Sequence, residues 1–249
     1  MSGGSRALVV MPAFNEERSV EQVVAGARAV GLPVCVGDDG SIDETGVRAR
    51  AAGATVLRLP LNLGVGGSLR CGFRFAIANG YDTVVQVDAD GQHDPAQAPE
   101  LLAVLERTGA DMVIGSRFAE GAGTYDVHGS RRLAMALLAR RAAKATGTYI
   151  ADSTSGFRAI RRPLLDRFAV EYPVEYLGDT VEALIEAGRA GAKVVEHPIA
   201  MAPRTHGAGS AGRLASLWYV TRVVIAIELM HKRAPRAPLS LPSKHGWSD

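Results

Sequence analysis

The stretch TVVQVDADGQH, residues 83–93, decides the fold class of this chain. A short strand-like run, Thr83–Val87, leads directly into two acids, Asp88 and Asp90. Further apolar runs that read as buried strands lie at Ala7–Met11, Val34–Gly37, Thr55–Leu59 and Met112–Ile114. Amphipathic, helix-like segments separate them at Ser19–Val30, Glu44–Ala52, Gly67–Asn79 and Ala96–Arg107. Alternating strands and helices predict an α/β fold, with a mainly parallel sheet covered by helices on both faces.

The rhythm changes after Arg117. The chain then predicts a glycine-rich loop, a basic helix, a turn with a strand, a helix and a strand, at residues 120–129, 130–146, 155–160, 178–190 and 193–199. With no internal repeat and no linker, one domain over residues 1–233 is expected, followed by a Pro- and Ser-rich loose tail at 234–249. A helix over 211–231, with aromatic residues and flanking bases, is compatible with a membrane interface or with packing on the domain.

Composition narrows the class of protein. Among 249 residues, 28 basic and 26 acidic side chains leave a net charge of +2, which gives no electrostatic signal of nucleic-acid binding. A hydrophobic fraction of 47% excludes disorder over most of the chain. Cys35 and Cys71 are too few for a disulfide scaffold and are expected as buried, reduced thiols. With no signal peptide and no transmembrane run, we expect a cytoplasmic protein, peripheral on the inner face of the membrane if the 211–231 helix is interfacial.

The acids after the fourth strand predict a metal site. Alternate residues at a strand end can direct two carboxylates into one space, where they repel each other unless a cation lies between them. Oxygen ligands suit Mg²⁺ or Mn²⁺, which keep waters and bind substrate phosphates. Asp88 and Asp90 are the candidate ligands, with Gln92 as a further ligand. The alternative is an acidic turn that caps the helix beginning near Pro95.

Other polar residues follow the first three strands, and ligands of such sheets bind beyond the carboxyl ends of the strands. Asn15 and Glu16 are candidates to contact a nucleotide, although Glu16 could simply complement a helix dipole. Asp38 and Asp39 could accept a hydrogen bond from a uracil or guanine ring, although this turn also caps a helix. The glycines at 64, 66 and 67 would let phosphate approach a helix N-terminus. Because they follow the third strand, a dinucleotide-binding dehydrogenase is disfavoured.

Basic and acidic side chains of the second half complete the candidate set. Arginines can pair with phosphate through their planar fork of donors, or be solvated surface charges. The candidates are Arg117, Arg131, Arg132, Arg158 and Arg204. Asp179 and Glu182 lie one helical turn apart, so that either could be a general base or part of a solvated helix face.

Seven motifs in order resemble the inverting family 2 glycosyltransferases, and within them the dolichol- and polyprenyl-phosphate hexose synthases and their bacterial relatives. The resemblance covers about residues 6–230. Its motifs are PxxNE at 12–16, DDGSxDxT at 38–45, NxGxG at 62–66, DADxQHxP at 88–95, GSR at 115–117, SGFR at 155–158 and RxxG at 204–207.

The resemblance implies a GT-A fold, a nucleotide-diphosphate sugar donor and a divalent metal. It implies a donor-binding set of Pro12, Ala13, Asn15, Glu16, Asp38, Asp39, Asn62, Gly66, Gly67, Asp88, Ala89 and Arg204. Asp88, Asp90 and Gln92 would hold the metal. Arg117, Arg131, Ser155, Gly156, Arg158 and Arg213 would meet phosphates or line the acceptor cleft.

The expected reaction is hexose transfer, with inversion, from a UDP- or GDP-linked sugar to a polyprenyl phosphate. Catalytic roles are expected for Asp90 and Arg117. The alternative is a hydroxyl acceptor, for which Asp179 or Glu182 would be the base. The loop at 204–213 departs from the family pattern because no Lys follows Ser210, and Arg213 is the candidate to replace it. Two rival classes are a nucleotide-sugar-binding protein without transfer and a membrane-associated scaffold.

Overall fold

A computed structural model of the chain describes residues 6–119, 143–144, 146–173 and 179–201. The strands are β1 (Ala7–Ala13), β2 (Val34–Asp38), β3 (Thr55–Arg58), β4 (Thr83–Gln86), β5 (Met112–Ser116), β6 (Arg158–Arg161) and β7 (Val194–Pro198). The helices are α1 (Val20–Ala29), α2 (Thr45–Ala51), α3 (Gly64–Ala78), α4 (Ala98–Thr108), α5 (Leu164–Glu171) and α6 (Asp179–Arg189), with a 3₁₀ turn at Pro95–Gln97.

The described strands form one sheet in the order β3-β2-β1-β4-β6-β5-β7. The pairs β1–β2, β1–β4, β2–β3 and β5–β7 are parallel, which confirms the prediction of a mainly parallel sheet. Strand β6 runs antiparallel between β4 and β5. The carboxyl ends of β1, β2 and β4 therefore meet at one edge of the sheet.

Helices cover both faces of the sheet because successive residues of each buried strand point to opposite sides. Val9 and Met11 of β1 pack with α1, α2 and α4, whereas Leu8 and Val10 pack with α3, α5 and α6. The first half of the chain matches the predicted strands and helices within a few residues.

Helix α5 was absent from the sequence-based assignment. It is eight residues long, too short for a clear helical period, and its apolar side is completed by α3. Arg74 of α3 donates from Nε to the carbonyl oxygen of Ala169 at 2.8 Å and joins the two helices. A contact distant in sequence therefore stabilises this element.

Part of the predicted second half lies outside the described residues. This holds for the loop at 120–129, nearly all of the basic helix at 130–146, and the interfacial helix and tail at 211–249. Among the residues that are described, no helix is long and apolar enough to cross a membrane.

Candidate functional site

A cleft of about 320 Å³ opens where the carboxyl ends of the central strands meet. Its walls come from the loops after β1, β2, β3 and β4, from residues 154–156 and from the start of α6. The sequence-predicted residues that line it are Pro12, Ala13, Glu16, Asp39, Asn62, Asp88, Ala89, Asp90 and Gly156. Residues from four separate loops thus meet in one cavity, as the rule for parallel sheets predicts.

Asp88 and Asp90 lie at the mouth of β4 and both face the cleft. The Asp88 side chain is 38% exposed, and its Oδ2 lies 3.5 Å from Nδ1 of the buried His93. Asp90 Oδ1 accepts a hydrogen bond from the Gln92 backbone N–H at 3.0 Å, so the turn fixes its carboxylate. Burial raises the pKa of Asp88 and the charge of Asp90 raises it further, against the lowering by His93, Arg158 and Arg117.

This donor set fits a divalent cation that also binds a substrate. A cation between two carboxylates removes the repulsion that raises the pKa of Asp88. The described residues contain no group of three or more His, Cys, Asp or Glu side chains that could hold a metal by themselves. Mg²⁺ and Mn²⁺ are suited to such a site because water and phosphate oxygens complete their coordination. Gln92 is half-buried outside the cleft lining, so its role as a ligand stays a prediction.

Asp39, rather than Asp38, is the carboxylate that the loop after β2 presents to the cleft. Asp39 Oδ1 accepts a hydrogen bond from the Leu63 backbone N–H at 2.7 Å and so ties this loop to the loop after β3. Burial raises the pKa of Asp39, and the neighbouring Asp38 adds to the rise, while the N–H groups of Leu63 and Gly64 lower it.

The surroundings of Asp38 show a role in the turn, and its expected contact with a nucleotide stays a prediction. Its side chain is 1% exposed, and Oδ1 accepts a hydrogen bond from the Ser41 N–H at 3.0 Å. A Cβ on Gly46 would lie 2.5 Å from Asp38 Oδ2, so the carboxylate is packed against the start of α2. Asp38 therefore stabilises the turn, as the helix-capping alternative predicts.

The two polar residues of the loop after β1 have different positions: Asn15 bonds a neighbouring loop, and Glu16 lines the cleft. Asn15 has φ +56°, a left-handed backbone that asparagine tolerates. Its Oδ1 accepts from the Ile42 N–H at 3.0 Å, so it joins two loops outside the cleft lining. Glu16 lines the cleft, and its carboxylate accepts a hydrogen bond from Ser19 Oγ at 3.0 Å.

The loop after β3 brings side chains rather than bare glycine backbone to the cleft. Asn62 lines it, and its Oδ1 accepts from the Gly64 N–H at 3.1 Å. Gly66 and Gly67 are buried in the first turn of α3 outside the lining. A Cβ on Gly67 would lie 2.6 Å from the Leu63 Cβ, so this glycine lets Leu63 pack against the helix. The described role of Gly67 is thus in packing, and the expected ligand contact of the two glycines stays a prediction.

Arg117 is held by a buried carboxylate outside the cleft lining. Its Nε and Nη2 donate to Asp152 Oδ2 and Oδ1, both at 2.7 Å, and Nη2 also donates to Thr154 Oγ1 at 2.9 Å. Asp152 is fully buried, and its backbone N–H donates to Glu196 Oε1 at 2.8 Å. The expected contact of Arg117 with a diphosphate therefore stays a prediction, and its described role is to fix the segment that carries Thr154.

Of the predicted residues at 155–158, Gly156 alone lines the cleft. A Cβ at Gly156 would lie 2.7 Å from Asp88 Oδ2 and 2.9 Å from Oδ1, so only glycine lets the two segments approach. Ser155 is buried, and its Oγ accepts from the Phe157 N–H at 3.2 Å. Arg158 is fully buried on β6 and donates from Nε to the Ser155 carbonyl at 2.8 Å. The predicted roles of Ser155 and Arg158 at the acceptor cleft stay predictions, and their described contacts are within the 153–158 segment.

The remaining predicted residues lie at the border of the described chain or beyond it. Asp179 begins α6, and the next residue, Thr180, lines the cleft. Glu182 is half-buried one turn later and outside the lining. Arg131, Arg132, Arg204 and Arg213 lie outside the described residues. The base and phosphate roles of this group stay predictions.

Sequence reasoning missed several residues that line the cleft: Phe14, Val65, Ser68, Gln86, Thr154 and Thr180. Phe14 and Val65 lie within motifs already recognised, and Ser68 follows one closely. Their closeness in sequence to these motifs was the signal that could have identified them as cleft residues. Gln86 had a clearer one, because it is a polar residue within the apolar run from Val84 to Val87.

Comparisons with known proteins agree with this geometry. Residues 8–168 match the model of glycosyl transferase family 2. An undecaprenyl-phosphate mannosyltransferase of Micrococcus luteus is 34% identical over 213 residues, which cover 81% of this chain and 86% of that protein. A polyprenol monophosphomannose synthase of Mycolicibacterium smegmatis is 32% identical over 213 residues, which cover 81% and 79%.

A solved structure extends the likeness to the fold. Glucosyl-3-phosphoglycerate synthase from Mycobacterium tuberculosis, in complex with Mn²⁺, UDP and phosphoglyceric acid, superposes with a TM-score of 0.67 at 27% identity. The match covers 94% of this chain and 80% of that one, and it confirms the predicted GT-A architecture. On its sequence, its strand order and these relatives, the chain is a member of glycosyl transferase family 2.

Proposed function

We propose that this protein transfers a hexose from a nucleotide-diphosphate sugar to a polyprenyl phosphate, with Mg²⁺ or Mn²⁺ as cofactor. The observation that carries the proposal is the pair Asp88 and Asp90 in one cleft with Asp39. Support for the acceptor comes from the relatives in Micrococcus luteus and Mycolicibacterium smegmatis, whose names specify polyprenyl-type phosphates. Support for the donor and the cation comes from the related synthase that holds UDP and Mn²⁺.

The reaction is a substitution at the anomeric carbon of the hexose. A phosphate oxygen of the acceptor forms the new bond to this carbon from the face opposite the leaving group, while the bond to the donor diphosphate breaks. The nucleoside diphosphate leaves with the electron pair, and the configuration inverts. Because a lipid phosphate is already anionic, no side chain has to remove a proton.

The chain contributes positioning and charge. Asp39, Glu16 and Asn62 bound the part of the cleft that we assign to the nucleoside. A divalent cation held by Asp88 and Asp90 would supply positive charge to the leaving diphosphate. Gly156 leaves room for the Asp88 carboxylate, and the Arg117–Asp152 pair holds the adjoining Thr154. Since a polyprenyl phosphate is a membrane lipid, we propose that the enzyme works at the bilayer surface.

The test compares two acceptors that differ by one group. The full chain is incubated with Mn²⁺ or Mg²⁺, with UDP-glucose or GDP-mannose, and with a short polyprenyl phosphate or the matching polyprenol. We expect a glycosylated lipid from the phosphate alone, detected by mass spectrometry, and its loss with a chelator. Glycosylation of the alcohol would instead favour the hydroxyl-acceptor reaction with Asp179 or Glu182 as base. The absence of nucleotide release with every donor would contradict the proposal.

A methyl group at Gly156 is expected to reduce transfer without unfolding the protein. In Gly156→Ala, the Cβ would lie within 3 Å of both Asp88 oxygens, so the carboxylate must shift. A misplacement on the order of 1 Å can lower turnover about a hundred-fold. The measurement is kcat with a fixed donor, beside thermal unfolding.

The control for this variant is Gly26→Ala on α1. A Cβ there would meet Pro95 at an ordinary 3.5 Å, and alanine favours a helix over glycine by about 1 kcal/mol. We expect Gly26→Ala to retain full turnover and to unfold at the same or a higher temperature. Equal turnover of the two variants would show that the Gly156–Asp88 contact has no bearing on transfer.

A further inference from the structure

Gln86 is a buried polar residue at the cleft that the mechanism above does not use. It is the last residue of β4, 1% exposed, and it lines the cleft. Its Oε1 is buried and has no hydrogen-bond partner in the described part of the chain. An unpaired buried acceptor is costly, so native proteins seldom keep one without a reason.

A second unpaired group lies next to it. Gln86 pairs with Arg158 of the antiparallel strand β6, and directly opposed residues direct their side chains to the same face. Arg158 is fully buried, and its Nη1 also lacks a partner within the described residues. Gln86 Oε1 is an acceptor that lacks a donor, and Arg158 Nη1 is a donor that lacks an acceptor. A hydroxyl can supply both, because it donates one proton and accepts through its lone pairs.

The acceptor oxygens around Gln86 favour a group that donates hydrogen bonds, such as a hydroxyl. Asp88, two residues further along the chain, lines the same cleft as Gln86. Ser68 Oγ uses its proton on the Gly37 carbonyl at 3.0 Å and so offers lone pairs to the cleft. These three side chains present oxygen acceptors, to which the hydroxyl groups of a sugar can donate hydrogen bonds.

We propose that Gln86 recognises one hydroxyl group of the donor hexose and that this hydroxyl donates a hydrogen bond to Oε1. This inference rests on the proposed function for the presence of a sugar in the cleft. The terminal torsion of a glutamine is soft, so the amide can turn Oε1 towards the cleft when a sugar enters. Gln86 is then a specificity residue at the end of β4, two residues before the first of the acids that we propose bind the metal.

The test is a cycle of enzyme and ligand variants that needs no transfer. Dissociation constants are measured by calorimetry, with Mn²⁺, for GDP-mannose, UDP-glucose and the monodeoxy analogues of each, and for GDP and UDP alone. The enzymes are the wild-type chain, Gln86→Met, and Gln22→Met on the exposed surface of α1 as the matched control.

We expect the wild type and Gln22→Met to bind one monodeoxy analogue roughly ten-fold more weakly than its parent. Gln86→Met should bind this pair equally and should keep the wild-type affinity for the nucleoside diphosphate. Because methionine removes the unpaired acceptor at similar volume, the apo variant should unfold at the wild-type temperature or above.

Two results would overturn the inference. The first is that Gln86→Met and the wild type have the same ratio of dissociation constants, deoxy analogue to parent, at every sugar position. If the unfolding temperature of Gln86→Met were also lowered, Gln86 would be shown to bind a water molecule or Arg158 instead. The other is a wild type that binds nucleoside diphosphates and no nucleotide sugar. If Gln86→Met lost the difference in affinity between parent and deoxy analogue, but the wild type glycosylated no lipid, the role of Gln86 would be supported and the polyprenyl phosphate acceptor rejected.

Discussion

Replacing Asp90 by alanine is expected to lower kcat by at least about a thousand-fold while the protein stays folded. Asp90 lines the cleft beside Asp88, and the Gln92 N–H holds its carboxylate at 3.0 Å. Without it, among the described residues of the loop after β4 that line the cleft, Asp88 is the carboxylate left to bind a divalent cation. The charge that develops on the leaving diphosphate would then be poorly neutralised. Neutralisation of this charge is expected to be the largest single contribution to the rate of the reaction.

Asp94→Ala is the matched control for this variant. Asp94 lies four residues further along the same loop, is exposed, and accepts from the Ala96 N–H at 2.9 Å as a helix cap. Its loss should cost about 1 kcal/mol of stability and leave turnover unchanged. Turnover is measured with saturating donor over a range of Mn²⁺ concentrations. If Asp90→Ala kept a tenth of the wild-type rate, or if the two variants lost rate equally, the metal-binding role of Asp90 would be wrong.

The regular part of the molecule could be predicted from sequence because local signals and tertiary packing agree there. The apolar runs, the turns after them and the rule for carboxyl ends of strands together located the cleft and its acids. Strand β6 and helix α5 were harder, because both are short. Their conformation depends on β4, β5 and α3, which lie more than about 40 residues earlier in the chain.

The division of labour within each motif could not be predicted. Asp38 and Asp39 are adjacent in sequence, but successive side chains point to opposite sides. The Asp38 side chain points to the turn before α2, and the Asp39 side chain points to the cleft. Arg117 carries the features of a phosphate ligand, and only the fold reveals that Asp152, 35 residues away, binds it. Side-chain direction depends on backbone geometry, which residue type alone does not specify.

Removing the carboxylate of Asp152 is expected to destabilise the protein by about 3–5 kcal/mol, because it breaks a buried ion pair with the Arg117 guanidinium. Asp152 is fully buried and Arg117 is 11% exposed. Two hydrogen bonds of 2.7 Å and the Arg117 backbone N–H at 3.1 Å reach this one carboxylate. The measurement is the free energy of unfolding of Asp152→Ala in urea.

The matched control is Asp166→Ala, which removes the partner of Arg162 at the protein surface. This pair has a similar N–O distance, 2.8 Å, but the Arg162 side chain is 38% exposed, and such pairs contribute about 0–1 kcal/mol. Both variants remove an aspartate that pairs with an arginine, so the difference between their losses of stability reports the effect of burying the pair. Equal losses of stability, or a loss below 1 kcal/mol for Asp152→Ala, would contradict a structural role for the buried pair.

The same ion pair predicts how stability depends on pH. Burial raises the pKa of Asp152, but the hydrogen bonds and charge of Arg117 outweigh this effect and leave the pKa below its usual value. A carboxyl with a lower pKa in the folded state binds fewer protons there than in the unfolded chain. Its contribution is therefore complete above the unfolded pKa, about 3.9, and is lost as the pH falls through the lower folded pKa. We expect the stability difference between wild type and Asp152→Ala to be constant from neutral pH to about 5 and to shrink below pH 4. A difference that grew on acidification would have the wrong sign for a carboxylate held by Arg117.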